Sequence, residues 1–174
     1  MKVNKIRLSG CEPTLGKKHL LSALADIAES KYPLFILETN GIVLGSDMEY
    51  INRLANFADK LYVRVSFKAA TPEGFSERTG ALGSYYELPF KALKYLLEGG
   101  IYGRAAAMTD PKVLTREERE ILIRKLKEIN LGIAADLEEE QIDAYETTIN
   151  RLKAFDDAEF VKQLEKTIVN LKPR

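Results

Sequence analysis

Leu61-Tyr62-Val63-Arg64-Val65-Ser66-Phe67 reads as a β-strand, because β-branched and aromatic residues fill it and such side chains suit a pleated surface. Toward the N-terminus, Leu34-Phe35-Ile36-Leu37 is a continuous apolar run, as expected of a strand buried on both faces of a sheet. It ends at Glu38-Thr39-Asn40-Gly41. Lys5-Ile6-Arg7-Leu8-Ser9 is a shorter strand candidate, followed by the turn-rich Gly10 to Gly16, which contains Pro13. Two helical patterns separate these runs. Leu20, Leu21, Leu24, Ile27 and Ala28 share one face of the first. Ile51, Leu54, Ala55 and Ala58 form the core face of the second, with Ser46 and Glu49 spaced as a capping box.

Toward the C-terminus, a loop with Pro72, Gly74, Gly80 and Gly83 follows the central strand. It is long for such a unit, and long loops in compact domains are often functional. A helix over Pro89 to Glu98 carries Ala92, Leu93, Leu96 and Leu97 and ends at Gly99-Gly100. Ile101 to Met108 is the fourth strand. Thr115 and Glu118 cap a helix bearing Ile121, Leu122, Leu126 and Ile129, and Leu131 to Ala135 is expected as a fifth strand. From Glu138 onward the pattern is mostly helical, with a break near Phe155-Asp156-Asp157.

Serial β-α units imply an α/β fold with a parallel sheet and right-handed crossovers. The expected architecture is a partial TIM-like barrel or an open parallel sheet with helices outside. Both bind ligands at the C-terminal ends of the strands. The core is expected over residues 1–136, with residues 137–174 as a mainly helical extension of the same domain.

Composition narrows the function. The chain has 174 residues, with 26 basic and 26 acidic side chains, so it lacks the basic excess of a general nucleic-acid binder. No apolar run approaches the length of a membrane span, and no signal-peptide core follows the charged start. A cytoplasmic protein is expected. Cys11 is the one cysteine. No intrachain disulfide can form, and this chain alone cannot give an iron–sulfur cluster its thiolates.

The strand ends carry the candidate site. The first offers Ser9, Gly10, Cys11, Glu12 and Pro13, where a glycine lets backbone approach a ligand closely. Exposed carbonyls there suit an ammonium group. The second offers Glu38 and Asn40 before Gly41. The third offers Ser66 and Lys68, which share a face if the strand stays extended; the hydroxyl suits a ribose and the ammonium a carboxylate. Amine, carboxylate and ribose are the polar handles of S-adenosylmethionine (SAM).

Leu8-Ser9-Gly10-Cys11-Glu12-Pro13 resembles the GGEP motif of the radical SAM superfamily. Leu37-Glu38-Thr39-Asn40-Gly41 resembles the end of that family's next strand, and Val63 to Lys68 the one after. The group that activates pyruvate formate-lyase is most similar, since it also has a lysine there. The likeness spans roughly residues 5 to 136. It implies a SAM ligand, with the GGEP-like segment at the methionyl amine and the third strand end at ribose and carboxylate. It also implies a [4Fe-4S] cluster and cleavage of SAM to a 5′-deoxyadenosyl radical. Three features depart from the family. Cys11 replaces the motif's second glycine, which calls for a negative φ there. The CxxxCxxC loop and the first β-α unit are absent, so the cluster is expected only in a full-length or complemented form.

The expected partner is a small-molecule ligand, with a second copy or a complementing subunit covering the sheet edge near Ile6 and Leu8. Other readings are a non-catalytic remnant that binds SAM, a nucleotide or a protein, and a metal-independent TIM-like enzyme acting on a phosphorylated small molecule. Several residues have plainer roles. Arg64 is expected in a structural ion pair, Glu12 as a loop fastener and Lys68 as solvated or paired with Glu73 or Glu77. Glu138-Glu139-Glu140 is expected as a solvated helix start. Cys11 has no accompanying base, which argues against a nucleophile, and one histidine, His19, argues against a His-based zinc site or triad.

Overall fold

The two apolar runs around residues 35 and 61 lie side by side as neighbouring strands, and the other elements are arranged about them. In the computed structural model, which describes residues 4–143, 145–154 and 158–162, five parallel strands follow chain order: β1 (Ile6–Leu8), β2 (Phe35–Thr39), β3 (Leu61–Phe67), β4 (Tyr102–Met108) and β5 (Glu138–Glu140). The crossovers contain α1 (Lys17–Ala28), then α2 (Ile42–Ser46) and α3 (Met48–Ala55), then α4 (Pro72–Thr79) and α5 (Leu88–Glu98), then α6 (Arg116–Ile129) and α7 (Leu131–Ala135). Sequential order with right-handed crossovers puts the helices on one side of the sheet. The fold is α/β, an open parallel sheet laid out like part of a barrel wall.

Side chains alternate between the two faces. Phe35, Leu37, Leu61, Val63, Val65 and Phe67 are buried and share one core with helical residues such as Leu24, Leu54, Leu93, Leu96 and Leu122. The intervening Ile36, Glu38, Tyr62, Arg64 and Ser66 are half-buried on the opposite, polar face. At the end of β2, Gly41 has φ +77°, and a Cβ there would lie 2.8 Å from Val65 and 2.9 Å from the Pro89 backbone. Only glycine meets both demands.

The chain divides into two compact units, the first running through Glu140 and the second starting at Gln141. The second contains α8 (Glu146–Ala154), and buried Ile149 and Val161 pack there with Ile142, Leu152 and Phe160. The break expected near residues 155–157 lies outside the described residues.

Four expectations are corrected. Leu131 to Ala135 is helix α7, because the Asn130 side chain accepts hydrogen bonds from the Gly132 and Ile133 N–H groups and starts a turn. A five-residue apolar run cannot by itself separate helix from strand. The fifth strand is instead Glu138–Glu140, so these glutamates are no helix start. The segment after β3 is not a loop. Thr71 accepts from the Gly74 N–H, Pro72 opens the first turn and Gly80 (φ +71°) closes α4. Finally, Asp47, not Ser46, caps α3 by accepting from the Tyr50 N–H, while the Ser46 hydroxyl donates to the Val43 carbonyl. On the helix faces, Ala28 is exposed and Ala58 follows the end of α3.

Candidate functional site

The first strand end is shaped by backbone. Ser9, Gly10 and Cys11 are exposed, and Gly10 and Cys11 have φ of +91° and +49°. The negative φ expected at Cys11 is therefore corrected: this residue occupies the left-handed region that glycine favours. A Cβ added to Gly10 would meet no atom within 4 Å, so the space beside the turn is open. Pro13 then begins a 3-10 turn through Gly16.

Glu12 fastens this end to the next strand. Its carboxylate accepts from the Thr14 N–H (3.2 Å), the Thr14 hydroxyl, the Thr39 hydroxyl (2.7 Å) and the Asn40 N–H (2.7 Å). Nearby, Tyr50 is fully buried and its hydroxyl finds no partner among the described residues. Burial, and then the charge of Glu12, push its pKa up to about 12. Lys17 lies 4.8 Å from the Tyr50 ring centre and pairs with Asp47 at 3.0 Å.

At the second end both expected residues hold structure. The Asn40 side chain accepts from the Ile42 N–H at 2.9 Å, starting α2. Glu38 pairs with Arg7 and, at 2.9 Å, with Arg64. Arg64 is 11% exposed and also donates to Glu138, through Nε and Nη2 at 3.0 Å each, and to Glu140. Burial opposes its charge, but the bonds to Glu138 and Glu140 outweigh it and raise its pKa. Arg104 on β4 joins through Glu138 at 3.7 Å and also pairs with Asp136 at 3.1 Å. The ionic network thus spans the polar face from β1 to β5, as the expected Arg64 ion pair required.

The third end is held differently. Ser66 is half-buried and Lys68 is exposed. Among the described residues, Lys68 forms no ion pair with Glu73, Glu77 or any other acid, while its carbonyl accepts from Arg78 at 2.9 Å. Glu118 of α6 is buried and accepts from the Ala70 N–H (2.8 Å) and from both terminal nitrogens of Arg78. Arg78 also reaches the Val113 carbonyl at 3.1 Å. Burial works against the Glu118 carboxylate, but Arg78 and the Ala70 N–H outweigh it and hold its pKa below the ordinary value. Arg78 and Glu118 were not foreseen, because Glu118 reads locally as half of a capping box. Thr115 does accept from the Glu118 N–H, but the carboxylate is turned inward.

These three ends sit on adjacent strands, so the first and third are two strand spacings apart, about 10 Å. They bring together open backbone at Gly10, a hydroxyl at Ser66 and an ion-pair-free ammonium at Lys68. A separate cavity of about 360 Å³ lies between α1 and α3, lined by Lys18, Leu21, Ser22, Arg53, Asn56 and Phe57, and no expected site residue lines it. Among the described residues, no group of three His, Cys, Asp or Glu side chains is placed to hold a metal. No helix of the described residues is long and apolar enough to cross a membrane. No protein-family model matches the chain, and no curated protein matches it.

Proposed function

We propose that this chain binds S-adenosylmethionine across the C-terminal ends of β1, β2 and β3, as the SAM-binding part of a radical SAM enzyme. The observation that carries the reading is the consecutive positive φ at Gly10 and Cys11, the two positions that the resembled motif fills with glycine. Open space beside Gly10 leaves its backbone free for the methionyl amine. Ser66 and Lys68 would meet ribose and carboxylate from the third strand end. Glu12, Glu38 and Asn40 position these ends rather than touch ligand, since each is already committed to a neighbour.

The residues present do not fit a [4Fe-4S] cluster, because one thiol cannot supply three thiolates. This chain by itself is therefore proposed to bind SAM without cleaving it. A cluster would need thiolates from outside this chain, and these strand ends do not specify the substrate. The proposal includes a cytoplasmic setting and a partner at the β1 edge.

Calorimetric titration with SAM tests the reading. Heat of binding is expected in the unaltered chain, is lost in Lys68→Ala and persists in Lys94→Ala, whose side chain lies on α5. Absence of SAM binding, or binding of a sugar phosphate in its place, would sink it.

A further inference from the structure

The two edges of the sheet differ in charge. Among the described residues, β1 pairs with β2 alone and β5 with β4 alone. Lys5 and Arg7 give the first edge two cations, and Glu138-Glu139-Glu140 gives the last edge three carboxylates; within one chain Arg7 already meets Glu38, and the three carboxylates meet Arg64 and Arg119. The side chains of β1 are largely bare: Arg7 is 56% exposed. Leu8 is 37% exposed, although its register partner Leu37 is fully buried.

Backbone phase fixes which groups are free. The Ile6 N–H bonds the Leu34 carbonyl at 2.9 Å, so Ile6 faces β2 and the N–H and C=O of Arg7 point away from the sheet. On β5, the Glu140 carbonyl accepts from the Thr109 N–H at 3.0 Å, so Glu138 and Glu140 face β4 and Glu139 points outward. A parallel neighbour of β5 must therefore bond to Glu139 and set its own residue beside Glu138 or Glu140. Arg7 meets that requirement. It lies in register with Ile36 on the polar face, the face that carries Glu138 and Glu140.

We propose that two copies of this chain assemble with β1 of one copy added in parallel to β5 of the other, Arg7 lying directly across from Glu138 or Glu140. A two-fold axis along the strands makes both junctions identical, so neither edge is left open. The sheet then becomes a closed ten-stranded wall, and exposed edges, which otherwise invite uncontrolled pairing, are removed. Opposite charges directly across neighbouring strands favour this register, and like charges at the same place oppose it. Zero net charge leaves no long-range repulsion between copies. The assembly rests on the edges alone, so SAM binding can fail without it and it can fail without SAM binding.

Sedimentation and light scattering of the full chain, without ligand, test the assembly. A mass of two chains is expected, falling toward one on dilution and in high salt. Arg7→Pro removes the outward N–H, which an edge strand tolerates within a single copy, and Arg7→Glu sets a carboxylate against carboxylates. Both are expected to give monomers with unchanged far-ultraviolet circular dichroism. Should either variant unfold, hydrogen exchange of the unaltered chain decides: the Arg7 and Glu139 amides are expected to be protected at high concentration and to lose protection on dilution. A monomer at all concentrations, a dimer that survives Arg7→Pro, or unprotected amides at both edges would overturn the proposal.

Discussion

Two strand ends of this molecule are each fastened by one carboxylate, and the two carboxylates come from opposite kinds of place. Glu12 sits inside the segment it fastens. It reaches two residues along to Thr14 and one strand across to Thr39 and Asn40. Glu118 sits 48 residues from Ala70, on another helix, and holds the β3 end together with Arg78. Glu12 is half-buried and surrounded by neutral donors, whereas Glu118 is buried against a guanidinium. The first is a local clasp that leaves Gly10 open, and the second is a tertiary clamp that fixes where Ser66 and Lys68 stand.

The comparison predicts unequal costs. Glu118→Gln leaves the half-buried Arg78 charge without its partner and is expected to lower unfolding free energy by about 3 kcal/mol. Urea denaturation measures it. Replacing Arg78 and Glu118 together by Met is expected to cost less than Glu118→Gln alone. A loss below about 1 kcal/mol, the level of an exposed pair, would remove Glu118 from this account.

Acid should weaken the Glu118 clamp together with the β5 ion pairs. Glu118, Glu138 and Glu139 all have pKa values held below the ordinary 4.5, by Arg78, Arg64 and Arg119 respectively, with burial opposing each. Depressed carboxylates contribute stability that is complete above their unfolded value and is lost as pH falls through the folded one. Stability is therefore expected to hold at pH 6 and to decline below about 4.5, and Glu118→Gln is expected to flatten that decline. A pH-independent melting temperature from pH 6 to 3 would contradict these charge contacts.

Glu12→Ala removes hydrogen bonds to a charged acceptor at a half-buried site and is expected to cost about 1–2 kcal/mol. It should weaken SAM binding more than that loss of stability accounts for, since it frees the turn beside Gly10. The smallest effect is expected at Cys11. Cys11→Gly relieves a left-handed conformation but loosens the unfolded chain, for a net gain of about 0.5 kcal/mol. Thermal melting reads the sign, and destabilisation would contradict the strained turn.

The same contrast explains what the sequence disclosed. Strands β2 and β3 were legible because apolar or β-branched runs state their own burial, and β4 because Gly99-Gly100 ends the helix just before it. The β1 motif was legible because its partners lie within a few residues or at the neighbouring strand end. Strand β5 was not, since Glu138-Glu139-Glu140 forms a strand only because Arg64, Arg104 and Arg119 stand opposite its carboxylates. No local pattern announces that. Helix α4 could have been found: Thr71, Pro72 and Gly80 are ordinary start and stop signals, masked by a glycine and proline content that suggests a loop. Glu118 could not, because its spacing from Thr115 satisfies a cap whichever way the carboxylate turns.

Whether the three strand ends form one ligand site is decided by an NMR titration of the labelled full chain with SAM. Amide shifts are expected at Gly10 to Glu12, Thr14, Asn40, Gly41 and Ser66 through Ala69, with the outer surfaces of α1, α3, α5 and α6 unmoved. Silence at those amides, or shifts confined to the cavity between α1 and α3, would contradict it.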